Sequence, residues 1–183
     1  MIRKLQILFC TIIFISCGNE TNEHIYKTKT VEYASKTGNF IAKFPTEPKY
    51  SVLERKIGID DFEIHVFRST LGPNKIFSLE YIDYPENMIK SLSDSEIYSQ
   101  GISNYSNKIA DKFNLDFQKT IEQHGLKGEY FVFSLKPSLI EKGIEGHVLG
   151  ILFRKENRVY TISYMGINDD KTGTFLDSFR LIN

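Results

Sequence analysis

The chain has 183 residues, with 23 lysines and arginines against 23 aspartates and glutamates, so its formal net charge is zero. No run of one sign interrupts that balance, and a nucleic-acid binder normally carries a clustered basic footprint, so nucleic acid is excluded as an expected partner. The length suits one domain with a sizeable core rather than two.

Arg3 and Lys4 open the chain and are followed by the largely apolar run Leu5 to Ile15. That run is well short of the roughly 20 apolar residues that a spanning helix needs, so it reads as a cleaved signal. Its end, Phe14-Ile15-Ser16-Cys17, resembles the lipobox of bacterial lipoproteins, with Phe14 where that pattern usually has Leu. The resemblance implies a signal peptide over residues 1–16, cleavage after Ser16, a diacylglycerol on the Cys17 sulfur and a further acyl group (palmitate or similar) on its amino group. Two acyl chains hold a protein on a membrane where one is marginal. Gly18 is not the aspartate associated with inner-membrane retention, which implies the outer membrane. An ordinary secretory signal with a chance cysteine is the alternative.

Removing Arg3 and Lys4 takes the basic count from 23 to 21 and leaves a net charge of about −2 on the mature chain. Cys10 falls in the leader and Cys17 is blocked by lipid, so no thiol remains for a disulfide, a thiolate metal site or a nucleophile. Residues 17–28 read as lipidated cysteine plus polar tether, reaching at most ~40 Å, and residues 29–183 as the domain.

The dominant signal in the domain is period-two alternation of β-branched and aromatic residues. It predicts strands at Val31 and Tyr33, at Phe40 to Phe44, Tyr50 to Lys56, Phe62 to Ser69 and Ile76 to Asp83. Pro45, Pro48, Gly58 and Gly72-Pro73-Asn74 punctuate them as an antiparallel meander. The period then changes. Tyr98, Ile102, Tyr105, Ile109 and Phe113 fall at helical spacing, and Ser93 with Glu96 forms a capping-box pattern, predicting a helix over residues 94–113 in spite of Gly101. Strands return at Phe117 to Gln123, Leu126 to Leu135, Gly146 to Lys155 and Arg158 to Met165, the last two joined by Glu156-Asn157. A terminal helix capped by Asn168 or Asp169 is expected to bury Phe175, Leu176 and Phe179.

Four segments, GNFIAKFPTEP at 38–48, FSLEYIDYP at 77–85, LGILFRKENRVYTISYMG at 149–166 and FLDSFRLI at 175–182, resemble landmarks of the PsbP-like superfamily, which includes bacterial DcrB-like proteins. The resemblance implies an α+β fold, an antiparallel β-sheet flanked by helices on both faces. It also implies a role in binding other proteins: plant members assist photosystem assembly, eukaryotic relatives bind a small GTPase, and bacterial ones include envelope lipoproteins and secretion-associated chaperones. It carries over no catalytic residue.

Chemistry-bearing residues are sparse. His65 and His147 lie in predicted strands and offer a metal pair near Glu63 or Glu145 if the sheet brings them together, but each reads more simply as a strand histidine with one satisfied hydrogen bond or a solvated face, so no metal or cofactor is expected. Asp60-Asp61 and Asp169-Asp170 read as caps and solvated corners rather than acid–base pairs. The 14 Phe and 10 Tyr read mainly as core, with Tyr130, Tyr160 and Tyr164 as candidate exceptions. The sequence therefore leads to a non-enzymatic, membrane-anchored envelope protein that binds another protein, with a carrier of a small apolar ligand as the alternative. Leu139 and Ile140, in the charged connection 136–145, are the candidate partner contact, and they also suit a local anchor folded over the sheet edge.

Overall fold

The computed structural model describes residues 24–57 and 60–182. Strands β1 (Tyr26–Lys27), β2 (Tyr33–Ser35) and β3 (Phe40–Ala42) pair in succession, and β4 (Lys49–Ile57), β5 (Asp60–Thr70) and β6 (Ile76–Asp83) form a meander. A single-turn helix α1 (Glu86–Ile89) and the longer α2 (Asp94–Ile109) carry the chain to β7 (Phe113–Gln123) and β8 (Leu126–Leu135). After the short α3 (Pro137–Ile140) come β9 (His147–Lys155), β10 (Arg158–Gly166), α4 (Asp170–Ser178) and β11 (Arg180–Leu181).

The larger sheet has the order β4-β5-β6-β10-β9-β8-β7, every pair antiparallel, and the smaller has β1-β2-β3-β11. Two meanders thus meet at the β6–β10 pair, and the helical crossover sends β7 to the far edge. Because successive side chains of a strand point to opposite faces, each central strand supplies two cores. Tyr160, Ile162 and Tyr164 of β10 join Phe77, Leu79 and Tyr81 of β6 on one face, beneath the small sheet and Phe175, Leu176 and Phe179 from the α4 region. On the other face Phe131, Phe133, Val148 and Leu152 meet Ile97, Tyr98 and Ile102 of α2. The fold is therefore α+β with helices on both faces, as the PsbP-like resemblance implies.

Local chemistry sets the helix ends. The Ser93 hydroxyl accepts from the Glu96 amide at 3.3 Å and the Glu96 carboxylate accepts from the Ser93 amide at 2.8 Å, closing the capping box of α2. Asp169, not Asn168, caps α4, accepting from the amides of Lys171 and Thr172. Gly101 has a packing reason: a Cβ there would stand 3.1 Å from Leu152 Cδ1, so the missing side chain lets α2 lie close on β9. His124 and Gly125 both have positive φ, as the two-residue β7–β8 hairpin requires.

The structure corrects the expected boundaries. Ile25 is buried and Tyr26–Lys27 is paired, so residues 25–27 belong to the domain rather than to a tether, and the rest of the expected tether, with Cys17, lies outside the described residues. Val31 is not in a strand; it occupies the β1–β2 turn, where the Thr28 carbonyl accepts from its amide at 3.2 Å. The long helix ends at Ile109 rather than Phe113, because the Lys112 amide turns back to the Ile109 carbonyl and Phe113 then opens β7, still buried in the α2-side core. The small sheet and its two-residue last strand were not foreseen.

Close packing across β8 and β9 gives a test. A Cβ at Gly150 would fall 2.1 Å from Phe131 Cζ in the filled core between sheet and α2. Gly150→Ala is expected to cost about 1–3 kcal/mol through overpacking, read as a lower urea midpoint at unchanged slope. An unchanged midpoint would show that the Phe131 ring has room to move.

Candidate functional site

Strand β7 is the outer edge of the large sheet, and most of its residues are exposed. Its register shifts between Leu115 and Phe117, leaving Asp116 as the extra residue of a bulge. The shift has a consequence for direction. Leu115 pairs Phe133, which faces α2, whereas Phe117 pairs Val132 on the opposite face, so the two apolar side chains emerge on either side of the same edge. Leu115 is 43% exposed and Phe117 48%, with the Phe117 ring 6.4 Å from that of Tyr130. The Ser134 hydroxyl donates to the Asp116 carboxylate at 3.0 Å and fixes the bulge.

The expected contact pair stands nearby and is split. α3 follows β8 directly, and the Lys136 amide donates to the Lys112 carbonyl just before β7. Leu139 is half-buried against the α2-side core, whereas Ile140 is 57% exposed. Leu139 anchors the connection, and Ile140, Leu115 and Phe117 supply apolar surface at this end of the sheet.

A concavity lies at the opposite side of the α2 face, between α1, α2 and β4. Its volume is about 250 Å³, with an apolar wall of Met88, Ile89, Leu92 and Ile97 and polar groups from Arg55, Gln100 and Asn104. It is larger than the ~150 Å³ cavity that admits benzene and below the ~300 Å³ at which drug-sized sites begin. Sequence reasoning missed Arg55, because only the sheet register places it beside Phe62 and within reach of Tyr84 and α2.

The histidines do not converge. His65 pairs Tyr81, Tyr81 pairs Tyr160 and Tyr160 pairs Phe153, so His65 is three strands away from β9 and level with a residue six positions from His147. With strands about 4.8 Å apart and about 3.4 Å per residue, roughly 25 Å separates them, too far to share a metal. His65 instead belongs to a ladder of stacked rings. Its Nδ1 is hydrogen-bonded to Tyr50 Oη at 2.7 Å, its ring stacks on Tyr81 at 4.4 Å, and the Arg158 guanidinium covers Tyr81 at 4.2 Å. Arg158 is held by both Asp83 oxygens at 2.6 Å, and it also donates to the Thr37 carbonyl at 2.7 Å. Burial pushes the His65 pKa down, with Glu63 at 3.8 Å opposing, and burial alone lowers that of His147. His147 Nε2 is buried and has no hydrogen-bond partner among the described residues. Among the described residues no group of three His, Cys, Asp or Glu side chains could hold a metal.

The remaining candidates are structural. Tyr160 donates to the Gly38 carbonyl at 2.9 Å and Tyr164 to that of Ile167, so both buried phenols are satisfied, while Tyr130 stays half-buried beside Phe117. Asp169 is occupied as the α4 cap and by an ion pair with Lys75, which holds its carboxyl below the usual range.

No family model matches the chain, and no curated protein does. Among solved structures, the solution structure of cyanobacterial PsbP (CyanoP) from Synechocystis sp. PCC 6803 is similar, with a TM-score of 0.54 and 11% identity over 91% of this chain and 98% of that one. The likeness shows that the fold is PsbP-like, and the fold alone.

The split pair predicts unequal effects. Leu139→Asp should lower the unfolding free energy by about 1–3 kcal/mol by placing a carboxylate against the core, whereas Ile140→Asp should stay within about 0.5 kcal/mol. Equal effects in urea melts would contradict this assignment of anchor and surface.

Proposed function

We propose that the chain is a bacterial envelope protein, anchored through lipid on Cys17 and exposed to the outer-membrane environment, whose domain binds another protein and carries out no catalysis. The observation that supports protein binding most is the β7 edge, where backbone groups that pair with no other described strand run beside exposed Leu115 and Phe117, with Ile140 beyond them. Exposed edges template pairing with another chain, and proteins usually blunt them with charge or a bulge. Here the bulge is present but turns an aromatic and an aliphatic side chain outward on opposite faces. Both can grip a partner that adds along the edge. The roles implied by the PsbP-like resemblance have protein binding in common, which agrees with this reading.

The anchor rests on the leader that ends at Cys17. The alternative, a carrier of a small apolar ligand, draws support from the α1–α2 concavity, which combines an apolar wall with the Arg55 guanidinium.

A photo-crosslinking amino acid placed at Phe117 in the native envelope is expected to give a discrete protein adduct, and one placed at exposed Lys171 on α4 is not. Leu115→Asp with Phe117→Asp should abolish capture at Ile140 by the same chemistry while shifting stability by less than about 1 kcal/mol. Equal labelling from both positions, or undiminished capture in the double variant, would overturn the assignment of this edge to a partner.

A further inference from the structure

The position of the first described residues also bears on orientation. The His24 ring packs on Tyr50 of β4 at 4.2 Å, and Ile25 is buried, so the chain enters the domain beside the β4 edge. β7 lies at the other end of the seven-stranded sheet, roughly 30 Å away at about 4.8 Å per strand. From Cys17 to His24 the backbone spans at most ~25 Å even fully extended. A lipid on Cys17 therefore keeps the β4 side and its neighbouring hairpin close to the bilayer and leaves the β7 edge free to point away.

The neighbouring hairpin is β1–β2, and its surface suits such a position. Tyr26 is 46% exposed and Val31 58%, two apolar side chains flanking Lys27 and Lys29. Val31 has φ +62°, a backbone conformation that a β-branched residue rarely adopts. The turn around it is tightly held. The Thr28 amide donates to the Glu32 carbonyl at 2.7 Å, the Glu32 amide donates to Thr28 Oγ1 at 3.1 Å, and the Thr30 hydroxyl donates to the Glu32 carboxylate at 2.8 Å. The carboxylate is not free to neutralise the lysines, because both its oxygens accept from Arg180 at 2.7 and 2.8 Å. Hydrogen bonding to that guanidinium is the main cause that holds the Glu32 carboxyl down at a pKa of about 2. Glu47 acts on Tyr33 of this small sheet as a second acidic group, and Lys43 adds a further positive charge beside Glu32.

We infer that the β1–β2 hairpin is a lipid-facing surface: Lys27 and Lys29 meet anionic headgroups, and Tyr26 and Val31 enter the interfacial layer. The inference rests on the proposed anchor at Cys17. An aromatic ring with a polar tip suits the headgroup region, and basic residues close to an anionic surface each strengthen binding. Together with the short tether these contacts would hold the domain in one orientation rather than let it tumble.

The full chain is produced in a lipoprotein-processing host, and intact mass determines whether Cys17 carries lipid. Val31→Cys and, separately, Phe117→Cys are labelled with a fluorophore and reconstituted in phosphatidylcholine–phosphatidylglycerol vesicles bearing a headgroup nitroxide. Quenching is expected to be severalfold stronger at position 31 than at 117 and to fall when Lys27→Gln and Lys29→Gln are added. Equal quenching, or stronger quenching at 117, on chain whose mass shows the lipid would overturn the inference and leave the anchor standing. If the mass shows unmodified Cys17, the anchor fails and the hairpin is tested by sedimenting the chain with the same vesicles at low salt. Binding that drops roughly 25-fold in the double lysine variant, about fivefold per lysine, would sustain the lipid-facing surface. No binding, or binding unaffected by the lysines, would overturn it.

Discussion

The antiparallel pairing of β6 with β10 is the constraint on which the rest of the molecule depends, because it joins two sequence-separate meanders and buries a strand pair on both faces. Phe77 opposite Tyr164, Leu79 opposite Ile162 and Tyr81 opposite Tyr160 present large side chains to the small sheet and α4. Each fully buried side chain of this kind contributes of order 1.5–3 kcal/mol, and cross-strand aromatic pairs add to that. The α4 region depends on this surface for its position: Phe175 packs on Phe77 at 5.4 Å, and Phe179 packs on Tyr160 at 5.2 Å. With the centre so occupied, the crossover through α1 and α2 has to deliver β7 to the outer edge. The exposed edge is therefore a product of topology.

That topology also separates the two ends of the domain. The first described residues are tied to β4 through the His24–Tyr50–His65 ring stack, and the Arg158–Asp83 pair closes the same ladder over Tyr81. The apolar edge residues are at the far side of the sheet. If the proposed anchor holds the β4 side, the seven-stranded sheet sets the distance from it to the β7 edge.

Much of this was legible in the residues. The period-two alternation marks β5, β6, β8, β9 and β10 closely, since one buried face of large side chains cannot shift register without exposing them. Ser93 and Glu96 announce α2 because their side chains satisfy amides that the helix cannot. Where the reading failed, tertiary context overrode a local signal. Val31 has strand propensity but serves a turn that hydrogen bonds from Thr28 and Glu32 enforce. Phe113 lies at helical spacing from Ile109, yet it reaches the same core from the start of a strand. Of the candidate contact, Ile140 is exposed and Leu139 packs inward, a difference that adjacent apolar residues in a loop do not reveal. Leu115 and Phe117 went unnoticed as a pair because ordinary alternation would put them on one face, and only the bulge at Asp116 separates them. Nothing in the sequence marks β7 as an edge, since edge position is a property of strand order.

Native-state hydrogen exchange resolved by residue tests the central role of the β6–β10 pair most directly. Amides that bridge β6 and β10 should exchange only through global unfolding, with protection free energies equal to the unfolding free energy from urea, whereas β7 amides should exchange through local opening at lower cost. Protection in β7 equal to that of β6 and β10, or early exchange across the β6–β10 pair, would contradict the account.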